Sequence, residues 1–262
     1  MICILFFLLF SMPVLAQEPP HPREPYYGLP AAYGQHPSGG MANIQHPASM
    51  LHPGANGISV FSEIPFGLKE LGLHSLGLVF PLSGAKAGVF LNHSGYPGFG
   101  ETSPGLAIAL PLAQTVFAGM RLNFHQWKMD GVPASGVSVK TGWLFQIGKE
   151  FHSGFQLGLA KVKGYALSYT AQYGICWAPG PQWSVSGVHT LYKEQPDDLH
   201  TLLQYFPHER INLEWGFLSA SDQWYLGIGF RVKKWRTMLY GRCHPYLGWT
   251  PGILWQLNPK NK

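Results

Sequence analysis

Apolar residues recur at every second position along most of this chain, and the residues between them are polar but seldom charged. In T-V-F-A-G-M-R-L-N-F-H-Q-W (115–127), Val116, Ala118, Met120, Leu122 and Phe124 share one face of an extended strand. Gly119, Arg121, Asn123 and His125 share the other. The same period sets Leu167, Tyr169, Tyr173, Ile175 and Trp177 against Ser168, Thr170, Gln172, Gly174 and Cys176. It returns with Trp224, Leu226, Ile228, Phe230 and Val232 against Gln223, Tyr225, Gly227, Gly229 and Arg231.

A soluble sheet turns its polar face to water and fills it with Lys, Glu, Thr and Arg. Here that face holds mostly Gly, Ser, Gln and Asn, and only 12% of the chain is charged, about half of what soluble domains carry. Hydrophobic residues are nonetheless 46% and aromatics 14%. That balance suits an outer face against lipid and an inner face around a narrow lumen. In a bilayer only helices and closed barrels pair every backbone N–H and C=O. Past the N-terminus there is no run of about 18 apolar residues, which excludes spanning helices. The expected fold is all-β, a transmembrane antiparallel β-barrel.

About fourteen strand-like segments succeed one another from Asn56 onward, each near the ~9–11 residues that a tilted membrane strand needs. Turns after even strands read as short, L-S-G-A, P-L-A-Q and K-K among them. Those after odd strands include the longest, such as S-G-Y-P-G-F-G-E-T-S and K-M-D-G-V-P-A-S. Short turns on the periplasmic side and longer loops outside are the habit of bacterial outer-membrane barrels, and an even strand count returns both ends to the periplasm. Arg or Lys facing lipid at mid-membrane costs about 2–4 kcal/mol. Arg121, Lys140, Glu214 and Arg231 all keep step with the polar face, hence with the lumen, while Lys161 at a strand end can snorkel to the rim. Trp127, Trp177, Trp183, Trp224, Trp235 and Trp249 fall at expected strand ends, where interfacial girdles form, and Trp143, Trp215 and Trp255 lie further in.

The first sixteen residues, M-I-C-I-L-F-F-L-L-F-S-M-P-V-L-A, read as a secretory leader, with Val14 and Ala16 before the cleavage point. Residues 17–55 are set apart from the remainder of the chain: they are rich in Pro, His and Gly and do not alternate. The barrel is expected over 56–262. His-Pro occurs four times in the Pro-rich segment without the spacing of a metal site, so these histidines read as loop residues. Cys176 and Cys243 fall in distant strands and read as ordinary small residues rather than a disulfide. The net charge is +5, but the basic residues are scattered, which argues against nucleic acid. No G-x-S-x-G elbow, Walker loop or H-E-x-x-H occurs, so neither an enzyme nor a cofactor is expected. The row Arg121, Asn123 and His125 is the candidate lumen site, as a contact for ligand headgroups or as a network that holds a plug.

The run G-M-A-N-I-Q-H-P-A-S-M (40–50), with G-I-S-V-F-S-E, F-G-L-K-E-L-G and V-F-A-G-M-R-L-N-F, resembles the long-chain fatty-acid transporter superfamily of outer-membrane barrels. Within it the chain looks most like the Bacteroidota members grouped with the PorV/PorQ proteins. The resemblance implies a fourteen-stranded barrel with an N-terminal hatch, here residues 17–55, with His46, Pro47, Ala48 and Met50 in its motif. His46 stands where the family's motif has Asn, and the chain ends L-N-P-K-N-K without the usual terminal aromatic. It further implies a bacterial outer-membrane location among lipid and passive passage or capture of small hydrophobic molecules. The alternative it implies is an accessory role among the proteins of a type IX secretion system.

Overall fold

The computed structural model describes residues 29–34, 41–52, 54–96, 98–129, 132–193 and 195–258. The expected leader (1–16) and parts of the Pro-rich segment (17–28 and 35–40) lie outside them. Fourteen strands alternate in direction around a closed ring. They are β1 (Gly57–Glu63), β2 (Leu73–Leu82), β3 (Ala85–Tyr96), β4 (Phe99–Ala113) and β5 (Val116–Met129). Next come β6 (Val132–Gln146), β7 (Phe151–Val162), β8 (Leu167–Gly180), β9 (Trp183–Tyr192) and β10 (Asp198–His208). The ring ends with β11 (Ile211–Leu218), β12 (Gln223–Val232), β13 (Trp235–His244) and β14 (Gly248–Leu257). Each strand pairs with its chain neighbours, and β1 pairs with β14 from Ile58/Leu257 to Glu63/Gly252, which leaves no open edge.

Burial is inverted relative to a soluble sheet. Leu76, Leu106, Ile108, Leu122, Phe124, Leu157, Leu226 and Ile253 are all exposed, while Ser59, Asn92, Ser103, Gln156 and Gln204 are buried. The apolar phase of every strand therefore points out of the ring and the weakly polar phase points in. This is the arrangement of a bacterial outer-membrane barrel, whose outside meets acyl chains. Lys161 is exposed and its Nζ donates to the Tyr165 carbonyl at 2.6 Å, at the end of β7.

Two expectations need correction. The long outer loops are mostly strand: β3 and β4 run on to Tyr96 and from Phe99, and β5 and β6 run on to Met129 and from Val132. Gly and Pro in those stretches read as loop, but at the rim a strand needs only its neighbour's ladder. The β1–β2 connection alone keeps length, with short 3-10 turns at Pro65–Gly67 and Lys69–Leu71. Trp127 is not a girdle residue. It is buried, in phase with His125, and stacks on that ring at 5.3 Å with 15° between planes. Outward indoles gather instead near the two rims. Trp215 and Trp224 stack at 5.5 Å toward one, and Trp235 and Trp255 lie 5.2 Å apart toward the other.

Among the charges placed inward, Arg121 and Glu214 are buried, whereas Arg231 is exposed at the strand end beside the β10–β11 turn. Cys176 is buried and Cys243 is exposed. If the outward phase meets acyl chains, Leu122→Arg, near the middle of β5, is expected to lower folding free energy in lipid vesicles by about 2–4 kcal/mol. Urea titration of the vesicle-folded protein measures it, and a change below about 0.5 kcal/mol would contradict the orientation.

Candidate functional site

The described parts of the N-terminal segment lie inside the ring. They comprise a 3-10 turn at Pro30–Tyr33, the single-turn helix α1 (Ala42–Gln45) and a second 3-10 turn at Pro47–Leu51. The last packs on β3, β4, β5 and β6, and the first on β7, β8, β9 and β10. Glycines on the wall make that approach possible. Gly119 of β5 and Gly142 of β6 are cross-strand partners, as are Gly154 of β7 and Gly174 of β8. A Cβ on Gly119 would lie 2.5 Å from the Ala48 nitrogen, one on Gly142 2.6 Å from the His46 ring, and one on Gly174 2.4 Å from the Tyr33 ring. The segment therefore rests on bare backbone.

The four residues that resemble a hatch motif occupy this seat. His46 Nε2–H donates to the Phe155 carbonyl at 3.3 Å, and its ring meets Tyr33 edge-on at 4.8 Å. Burial pushes the His46 imidazole down to about 3, which keeps it neutral, with Nδ1 unprotonated. Pro47 opens the second 3-10 turn, and the Ser49 hydroxyl donates to the His46 carbonyl at 2.7 Å. Ala48 packs with Ala32, Tyr33, Leu144 and Val188, and Met50 with Val79, Ala107 and Ala109. Beyond them Lys86 Nζ donates to the His52 carbonyl at 3.1 Å.

The expected row Arg121, Asn123 and His125 is divided by the structure. Arg121 reaches the N-terminal segment: its Nη1 donates to the Ile44 carbonyl, and its guanidinium lies over Phe90, 5.1 Å from the ring centre. Asn123 and His125 bind the wall instead. Asn123 Nδ2 donates to Ser138 Oγ at 2.9 Å, and Ser138 Oγ lies 2.8 Å from His125 Nε2. On the far side of the ring, His125 Nδ1 is 2.8 Å from Ser103 Oγ and 3.1 Å from Glu101 Oε1, while Ser103 donates to Glu101 at 2.7 Å. One tautomer satisfies every contact: Nδ1 carries the proton, and Nε2 accepts from Ser138.

Sequence reasoning missed Glu101, Ser103 and Ser138. The first two were read as outer loop, although E-T-S keeps the inward phase that Ala107 and Ala109 continue. It also missed Glu63. Arg242 Nη2 donates to Glu63 Oε1 at 2.9 Å and Nη1 to Gln223 at 3.1 Å, and Tyr240 donates to Glu63 Oε2 at 2.8 Å. A third network joins Gln204 and Asn212 to Glu214, with Arg236 3.8 Å away.

Ser138, His125 and Glu101 have the spacing of an acyl-transfer relay, but the surroundings argue for a staple. Ser138 pairs with Asn123 and Ala160 within continuous ladders, so the backbone donors beside it face neighbouring strands rather than a reacting oxygen. Its hydroxyl is already capped by Asn123. The network also spans a weak point: the β4–β5 ladder steps from Thr102/Gln126 to Gly105/Asn123 across Pro104, which has no N–H to give. Side chains hold β4, β5 and β6 together where that backbone pairing lapses.

No family model matches this sequence, and no curated protein matches it. Solved structures do match in fold. The toluene transporter TodX of Pseudomonas putida aligns at 9% identity with a TM-score of 0.60, over 89% of this chain and 96% of that one. A Pseudomonas aeruginosa FadL homologue aligns at 8% and 0.55, over 90% and 98%. The Acinetobacter baumannii outer-membrane protein Omp33 aligns at 11% and 0.50, over 78% and 98%. The structural neighbours are outer-membrane β-barrel proteins, with channels among them, and at these identities the likeness is one of fold.

The geometry makes two outcomes testable. Gly119→Val, whose side chain meets the backbone of Pro47 and Ala48, is expected to unseat residues 46–50 while the barrel stays folded. With Cys176 and Cys243 changed to Ser, a Ser49→Cys thiol should then react with a water-soluble maleimide at least about tenfold faster than without the valine. His125→Ala should raise amide exchange around Ser103 and Gly105, by an opening free energy lowered by about 1–3 kcal/mol, because Ser103, Ser138 and Glu101 lose their common partner. Unchanged exchange there would remove the staple.

Proposed function

We propose that this protein is a passive, non-enzymatic outer-membrane channel for small apolar molecules, with the N-terminal segment as its plug. The observation that carries this reading is an apolar cluster inside the otherwise weakly polar lumen. Ala31, Met41 and Ile44 of the segment form one buried cluster with Phe61, Leu73, Phe90, Leu202, Tyr225, Met238 and Leu254 of the wall. A path for ions needs rings of charge or carbonyl groups to replace hydration, whereas this methyl- and ring-lined patch offers dispersion and dryness. Each buried carboxylate named above is already hydrogen-bonded by His, Arg or amide side chains of the wall, so none is left bare toward a passing molecule. The toluene transporter TodX and the FadL homologue share this fold and lend the reading its support.

In the plug, His46, Pro47, Ala48 and Met50 are the seated core and Arg121 is the wall's clamp on it. Membership of a PorV/PorQ-like branch, and with it a type IX accessory role, is the narrower alternative. No contact in the lumen among the described residues calls for a secretion partner, so it ranks second.

The test is uptake. The full chain, expressed in the outer membrane of a porin-deficient Gram-negative host, is expected to speed entry of toluene-sized apolar compounds and to leave sugar entry unchanged. Gly119→Val should increase both. Apolar entry at the rate of host cells without the protein, with and without the valine, would overturn the reading.

A further inference from the structure

We infer that the inner wall of β2–β5, on the outer side of the Arg121–Ile44 contact, is a subsite for a small neutral molecule that combines an apolar body with a hydrogen-bond donor. The inference rests on the reading of the lumen as a path for apolar molecules and specifies which of them it favours. Two rungs of the wall build the subsite. On the first, Phe90 of β3, Gly105 of β4 and Asn123 of β5 stand side by side. On the next rung outward, Ser75 of β2, Asn92 of β3 and Ser103 of β4 do the same.

Gly105 contributes no side chain, and a Cβ there would lie 2.1 Å from Phe90 Cζ and 2.8 Å from Asn123 Oδ1. An aromatic edge and an amide oxygen thus overhang one bare stretch of backbone. Asn123 spends Nδ2 on Ser138, but its Oδ1 has no hydrogen-bond partner, and neither does Asn92 Oδ1 or Ser75 Oγ. Asn123, Asn92 and Ser75 are 1%, 5% and 3% exposed, so solvent does not serve those atoms freely. Buried polar atoms normally find partners; others in the lumen, such as those of Ser59 and Gln256, also lack one, and here three lie within two rungs of one face, beside Phe90 and the bare Gly105 backbone.

Their chemistry selects the occupant. Two are carbonyl oxygens that only accept, and the third is a hydroxyl that does either. A ligand hydroxyl or N–H donates to one of the carbonyl oxygens, and a hydroxyl can also accept from Ser75, while its hydrocarbon part lies against the Phe90 edge. A pure hydrocarbon leaves them unsatisfied. A carboxylate meets acceptors and, one rung further out, the Glu101 side chain, whose strand position pairs with Ser94. Arg121 is the cation a carboxylate would seek, and it is engaged by the Ile44 carbonyl and the Phe90 face.

The experiment is competitive binding to the purified full chain in detergent by saturation-transfer NMR, with benzyl alcohol, toluene and benzoate as probes. The expected result is benzyl alcohol binding about tenfold more tightly than toluene, the size of one net hydrogen bond, with benzoate weaker than either. Asn92→Leu should weaken benzyl alcohol toward toluene and leave toluene unchanged. Should that variant fail to fold, Ser75→Ala, which removes one oxygen, makes the same comparison. Equal binding of toluene and benzyl alcohol overturns the subsite while the apolar path stands. A preference unmoved by either substitution does the same. Benzoate binding tightest overturns it in favour of Arg121 as the anchor. Binding of none of the three brings down the subsite and the apolar path together.

Discussion

A closed ladder spends the backbone donors and acceptors of its strands on neighbouring strands, so whatever happens inside this barrel depends on side chains and on the few places where the ladder is thin. That constraint orders the interior. The N-terminal segment has no free strand edge to pair with, and the wall holds it instead through Arg121 and Lys86, aromatic rings, methyl groups and bare glycine backbone. The β4–β5 gap at Pro104 is spanned by Ser103, His125, Ser138 and Glu101 for the same reason. It also explains why a triad-like spacing is not an active site here. An oxyanion needs backbone N–H groups that point away from the ladder, and a continuous wall has none to spare at Ser138.

The rarity of charge has its origin in the same geometry. A carboxylate inside a ring that faces lipid on its other side is far from bulk water, and an unpaired one is costly to keep. The structure answers each with specific partners: His125 for Glu101, Arg242 for Glu63, and Gln204, Asn212 and the nearby Arg236 for Glu214. Some of these pairs also cross-link strands that are not ladder neighbours. Glu63 on β1 and Arg242 on β13 reach across β14, so the pair braces the seam where the ring closes. Such pairs add little net stability by themselves, because desolvation offsets attraction, but removing one member leaves the other stranded.

Much of this was legible in the sequence, because a barrel is a local code. The period of two fixes which side chains face lipid, and the strand count comes from turn spacing. The outward Leu and Phe and the inward Arg121, Asn123 and His125 were therefore readable without coordinates. What was not readable depends on neighbours far apart in the chain. That Asn123 and His125 bind Ser138 and Ser103, while Arg121 turns to Ile44, depends on register between strands. The Gly-Pro texture around 95–105 hid a strand end, and with it Glu101. Trp127 looked like a girdle residue by position, yet its phase placed it inside, and phase was the better guide.

The composition of the segment inside the ring bears on whether it can move. Its described residues, L-P-A-A-Y-G and M-A-N-I-Q-H-P-A-S-M-L-H, contain no Asp, Glu, Lys or Arg, and His46 is held neutral. Every anchoring interaction described above is then a neutral hydrogen bond, a cation-to-carbonyl contact, or apolar packing, individually on the order of 1 kcal/mol. A plug locked by a buried ion pair would strand a charge of its own on leaving. Here the charges left behind at the seat are Lys86, which donates to the His52 carbonyl, and Arg121, beside its cross-strand neighbour Lys140 and over the Phe90 ring, where cation–π attraction persists after Ile44 departs. On the proposed reading, the seat is thus graded rather than locked, and an apolar ligand that replaces a few of the contacts made by Met41, Ile44 and Met50 competes for the wall on nearly equal terms.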